Sequence, residues 1–161
     1  MNNISVTISG GFKRSFQNFN QRVRALSEEL AEEQFWENPF HYGNSFGHLV
    51  LHVTGNLNYY IGAQLCSTGY IRNRELEFTD SAPPSKEEAL QRLDEAVALV
   101  IAALDQQTDD DWAKSYSAVG VDEKDRFGIF LRCAVHFHHH IGQMIYLKSA
   151  SVTPLTTGTT T

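Results

Sequence analysis

Apolar residues return at helical spacing in four blocks of the chain. Phe12, Phe16, Phe19, Val23, Leu26 and Leu30 recur at steps of three and four residues, which predicts an amphipathic helix from about Phe12 to Glu33. A second block runs from about Ser45 to Cys66. One stripe of it holds Leu49, Val53, Leu57, Tyr60 and Gln64, and the adjoining stripe, mostly polar, holds His48, His52, Asn56 and Tyr59. In the third block Ser85-Lys86-Glu87-Glu88 matches a capping box, and Ala89, Leu93, Ala96, Val97, Val100, Ile101 and Leu104 keep the helical period to about Gln106 or Gln107. The fourth, from Arg126 to Ala150, carries two stripes: Phe127, Leu131, Ala134, His138, Ile141 and Ile145 on one, and Ile129, Cys133, His136, His140, Gln143 and Leu147 on the other.

The segments between the blocks read as connections. Asn38 to Asn44 contains proline, glycine and asparagine, and Asn44 or Ser45 can cap the helix that follows. From about Ser67 to Pro84 the period is lost, and Arg72 to Phe78 is charged enough to lie on the surface or over the mouth of a site. A loop from about Thr108 to Lys124 precedes the fourth helix, which Asp122 or Asp125 can cap. There is no strand pattern and no internal repeat, so the expected class is all-α, a four-helix bundle forming one domain over residues 1–150, with residues 151–161 as a flexible tail. Its long middle connections permit a course other than a simple meander.

Composition narrows the function classes. The net charge of -6, and the offsetting of Lys13, Arg14, Arg22 and Arg24 by Glu28, Glu29, Glu32 and Glu33, give no basic patch for nucleic acid. No apolar run reaches the roughly 18 residues that a membrane helix needs, and the start has no secretory pattern. The two cysteines, Cys66 and Cys133, form no disulfide framework, so the expectation is a cytoplasmic protein with both thiols reduced.

The chemistry lies in the histidines. His136-Phe137-His138-His139-His140 places four imidazoles in five residues. On a helix His136 and His140 share a face about 6 Å apart along the axis, where two ring nitrogens can converge on one ion. The second helix offers another pair at the same spacing, His48 and His52. Three imidazoles with positions left open describe a catalytic metal site more than a closed structural one. His138 sits among apolar residues and reads as a packing residue, His41 as a turn residue, and Cys133 as a small buried hydrophobe. Gln143 lies within hydrogen-bonding reach of the fourth-helix pair. No serine-protease-type ordering or phosphate loop is present.

Asn44 to Leu57 resembles the second-helix signature of a branch of the DinB-like superfamily, the damage-inducible proteins related to YfiT. Ile71 to Phe78 resembles that branch's Arg-x-Arg-x-x-Glu-Phe segment, and His136 to Gln143 its fourth-helix His-x-x-x-His pattern with the following Gly-Gln. The resemblance spans most of residues 12–150. It implies an up-down-down-up four-helix bundle and a divalent metal, zinc or nickel, held by His52, His136 and His140, with His48 as runner-up to His52. It also implies a small-molecule substrate, a low-molecular-weight thiol as possible co-substrate, and a homodimer. The same likeness implies thiol S-transferase-like or hydrolase-like activity without choosing between them. Among the residues themselves, Arg72 or Arg74 is the candidate for a thiol's carboxylates, and Gln143, Asn56 or Tyr59 the candidate polarising group for hydrolysis. The alternative is a non-catalytic metal-binding or stress-response interaction protein in which the ion stabilises the bundle.

Overall fold

The computed structural model describes residues 4–152, and these form helices with no β-strand beyond one isolated bridge between Ser115 and Asp125. Of the expected tail, residues 151–161, Ser151 and Val152 continue the last helix instead, and residues 153–161 lie outside the described residues. Helix α1 spans Ile4–Glu28, α2 Glu32–Trp36 and α3 Phe46–Leu57. α3 continues without a break through a π-helical turn, Asn58–Ala63, into α4, Gln64–Cys66. A short α5, Leu76–Thr79, precedes the long α6, Lys86–Asp105, and α7, Arg126–Val152.

Both boundaries of the first helix differ from the sequence expectation, each for a local reason. α1 begins eight residues before Phe12, because the serines that interrupt its apolar period are docked by hydrogen bonds. Ser9 Oγ donates to Leu104 O at 2.9 Å, and the Ser5 backbone N–H donates to Asp109 Oδ1 at 2.6 Å. It ends at Glu28 rather than Glu33, and the chain restarts as α2, where Gln34 Oε1 accepts from the Ala31 N–H at 2.9 Å. The other signals hold. Ser45 accepts from His48 N–H, Ser85 from Glu88 N–H and Asp125 from Gly128 N–H, each satisfying one of the orphan donors of a helix start. Glu88 does not reach back to complete the capping box; it binds Arg92 instead.

The four long helices form a ring in which α1 lies diagonal to α3 and α6 diagonal to α7: α1 and α3 each pack against both α6 and α7. Directions follow from the pairings. Phe12 meets Phe127, Phe19 meets Phe137 and Glu29 meets Lys148, so α1 and α7 run parallel. Ser9 meets Leu104 while Arg24 meets Glu87, so α1 and α6 run antiparallel. Leu49 lies by Leu147, His52 by His136 and Tyr60 by Arg132, so α3 opposes α7. The course is therefore up, down, down, up. Phe16, Phe46, Phe130, Phe137, Leu93 and Ile141 are among the fully buried side chains that fill the centre.

The helical phase of α7 corrects the expected stripes. Phe130, Ala134, Phe137, Ile141 and Met144 face the core, whereas Phe127, Leu131 and Ile145 are 41%, 44% and 36% exposed. Phe137 is the anchor that sets this phase, and it turns the histidines on either side of it in different directions.

Candidate metal centre

His52, on α3, and His136 and His140, on α7, meet where these antiparallel helices pack. His136 Nε2 lies 3.2 Å from His52 Nε2 and 3.1 Å from His140 Nε2. Within the described residues these three side chains are a group whose donor atoms all approach one another closely enough to hold a metal ion.

The far ring nitrogens decide what the near ones can do. His52 Nδ1 is 2.8 Å from Glu77 Oε2, and Glu77 also accepts from Arg72 at both oxygens, Nε to Oε1 at 2.7 Å and Nη2 to Oε2 at 2.9 Å. Burial pushes the Glu77 carboxyl up, but the hydrogen bonds from His52 and Arg72 outweigh it and hold the group below the usual carboxylate range. An ionised Glu77 only accepts, so His52 Nδ1 carries the proton and its Nε2 presents a lone pair. His140 Nδ1 donates in the same way to Gln143 Oε1 at 2.6 Å, which leaves a lone pair on His140 Nε2 as well. The tautomers are thus assigned by their partners. His136 Nε2 can donate to one of these nitrogens but not to both. His136 Nδ1 is buried without a hydrogen-bond partner.

Convergent lone pairs repel one another unless a cation sits among them. Burial, followed by the neighbouring His140 and His52, lowers His136 to about 3. Burial also lowers His140 to about 4, against the raising effect of Gln143. A proton is therefore a poor occupant of His136 and His140 near neutrality, and three convergent imidazoles, two of them oriented by outer hydrogen bonds, suit a divalent ion. By donor type and tautomer, the residues fit a metal.

The remaining sequence candidates are elsewhere. His48 is half-buried against the Trp36 ring, with centroids 5.8 Å apart, and is not part of the three-histidine group. His138 is exposed beside Phe19 at 5.3 Å instead of packing in the core, because Ala134, Phe137 and Ile141 take the inward phase. His139 and His41 are exposed. Cys133 is fully buried, which pushes its thiol up to about 12 and leaves it unreactive, and Cys66 is exposed. Arg72 is committed to Glu77 with a side chain only 10% exposed, so it is not free for a ligand's carboxylate.

Glu77 is the member of this cluster of side chains that helical periodicity could not find. It comes from the aperiodic connection, carried in by α5, with Phe78 beside it packing on the His52 ring at 4.9 Å. Gly55 makes room for it: a Cβ there would land on Glu77 Oε1. The sequence signals were the Arg72 to Phe78 segment and a glycine in mid-helix three residues after His52.

A cavity of about 560 Å³ opens beside the histidines, lined in part by His52, His136, Asn56, Tyr59, Arg74 and Arg132. A helical bundle with a three-histidine cluster braced by an outer carboxylate defines a class of candidate metal-binding proteins. The chain belongs to the DinB superfamily, whose family profile matches residues 12–144. No curated protein matches it. Among the described residues no helix is long and apolar enough to cross a membrane.

Proposed function

We propose that this chain is a divalent-metal-dependent enzyme acting on a small molecule, with His52, His136 and His140 holding the ion. The observation that supports this is the direction of the three Nε2 atoms toward one point, with no fourth His, Cys, Asp or Glu joining them among the described residues and a cavity alongside. A closed structural site would use a fourth protein ligand. When bound, the ion supplies Lewis acidity that makes water or a thiol nucleophilic near neutral pH. The chain does the rest. Glu77 and Gln143 keep the protons on the outer nitrogens of His52 and His140, Arg72 fixes Glu77, and Asn56 and Tyr59 face the cavity where a substrate carbonyl or leaving group would lie.

The reaction class we favour is thiol S-transferase-like, because the cavity carries cationic side chains suited to an anionic thiol; hydrolase-like chemistry is the second reading, favoured by the polar Asn56 and Tyr59. The test is to load the purified protein with zinc or nickel and supply a low-molecular-weight thiol with a panel of electrophiles, and separately esters and amides. Metal-dependent loss of thiol or cleavage is the expected result. Full metal occupancy with neither activity, together with a large fall in melting temperature on chelation, would instead assign the ion a structural role.

A further inference from the structure

In a chain of net charge -6, the cavity beside the histidine cluster is lined by three arginines and no Asp or Glu. Arg72 is neutralised by Glu77. Arg74 is exposed, has no ion pair among the described residues, and lies with its guanidinium 5.7 Å from the centre of the Phe78 ring, which leaves its donors facing water. Arg132, 44% exposed, touches the less exposed Glu123 at 3.3 Å through one guanidinium nitrogen, which leaves its other donors available to a ligand.

The cavity wall also holds an unmet polar group. Asn56 is one helical turn beyond His52 and only 6% exposed, and its Oδ1 has no hydrogen-bond partner. An unpaired buried amide costs on the order of 1–3 kcal/mol, a cost that a bound molecule with a complementary group would remove. A half-turn of the amide exchanges donor and acceptor, so it can serve either an N–H or O–H group or an oxyanion oxygen of that molecule.

We infer that the cavity is a recognition site for a small oxyanion, a carboxylate or phosphate, that also carries an N–H or O–H group: Arg74 and Arg132 take the charge and the Asn56 amide takes the neighbouring polar group. This deepens the enzymatic reading by naming the substrate class, and rests on that reading only for placing the ligand beside the reacting centre. Recognition itself needs no metal, so the two ideas can fail separately.

The experiment is calorimetric titration of chelator-stripped and metal-loaded protein with N-acetylserine, its uncharged methyl ester, and glycerol 1-phosphate. The expected result is saturable binding of at least one of the two anions with or without metal, with the ester weaker by about tenfold or more, the scale of one hydrogen bond to a charged group. The tighter of the two anions names the head group. Arg74→Gln and Arg132→Gln, both at exposed side chains that leave the core intact, should each weaken the anion by a similar factor, and Lys148→Gln, on another face, should not. Asn56→Leu should weaken N-acetylserine while its circular dichroism matches the parent. Equal binding of acid and ester, no binding of either anion, or unchanged affinity in both arginine variants would overturn the inference. Anion binding that persists in a protein that takes up no metal would sink the enzymatic reading and leave this one standing.

Discussion

His52 and Glu77 form the contact on which the centre depends: Nδ1 and Oε2 lie 2.8 Å apart with both side chains only 8% exposed. Glu77→Gln keeps the size of the side chain but removes the charge that holds His52 in one tautomer. Metal affinity is expected to fall by about 10–100-fold, measured by competition with a chromophoric chelator. Glu77→Ala additionally strands Arg72 as a buried unpaired cation and is expected to cost about 3–5 kcal/mol of stability by chemical denaturation.

Removing the cluster one residue at a time separates ligands from bystanders. His52→Ala, His136→Ala and His140→Ala are each expected to lower the metal stoichiometry found by elemental analysis. His41→Ala and His48→Ala are expected to leave it unchanged, since one is exposed in a loop and the other packs on Trp36. Full occupancy in His52→Ala would transfer the role back to His48.

Glycine substitutions test the fit between α3 and the connection over it. Gly55→Ala is expected to push Glu77 away, lowering both metal affinity and melting temperature, because its Cβ and Glu77 Oε1 would claim the same space. Gly142→Ala on α7 would meet no atom within 4 Å and is expected to stabilise by about 1 kcal/mol through helix propensity alone. If the two variants shifted stability in the same direction, the account of Gly55 would be wrong.

Acid sensitivity should follow the lowered imidazoles. With His136 at about 3 and His140 at about 4, against an ordinary value of 6.5, the unfolded chain binds more protons than the folded one throughout that window. Stability of the metal-free protein therefore falls as pH drops from about 6.5 toward 3, and these two groups contribute no slope above it. Melting temperatures of chelated protein from pH 4 to 8 would check this, and the double variant His136→Asn/His140→Asn should show a shallower fall.

The helices and the histidine triad were legible because both obey a period. Phe137 and Ile141 mark the inward face of α7, and His136 and His140 follow from spacing. Choosing His52 over His48 needed the family likeness, since both occupy one side of α3 at the sequence level and only packing turns His48 onto Trp36. Glu77 escaped because an acid in an aperiodic charged segment looks solvated until Arg72 and His52 are seen to surround it. The serine-rich start of α1 escaped for the converse reason: Ser5 and Ser9 look polar yet are buried, their hydroxyls donating to Gln107 O just beyond α6 and to Leu104 O in its last turn. The π-helical turn after Leu57 leaves no signature in the apolar period.

Because α3 packs against the last helix of the chain, α7, the centre joins His52 to a histidine 84 residues away and to a carboxylate 25 residues away. No contiguous fragment shorter than that span contains all the parts, and closing so long a loop is an entropic cost met only when α3 and α7 dock. Metal uptake should therefore report the last stage of folding. In a refolding experiment followed by a coloured ion such as cobalt, the absorbance should develop with the slowest phase of side-chain packing and trail the appearance of helix.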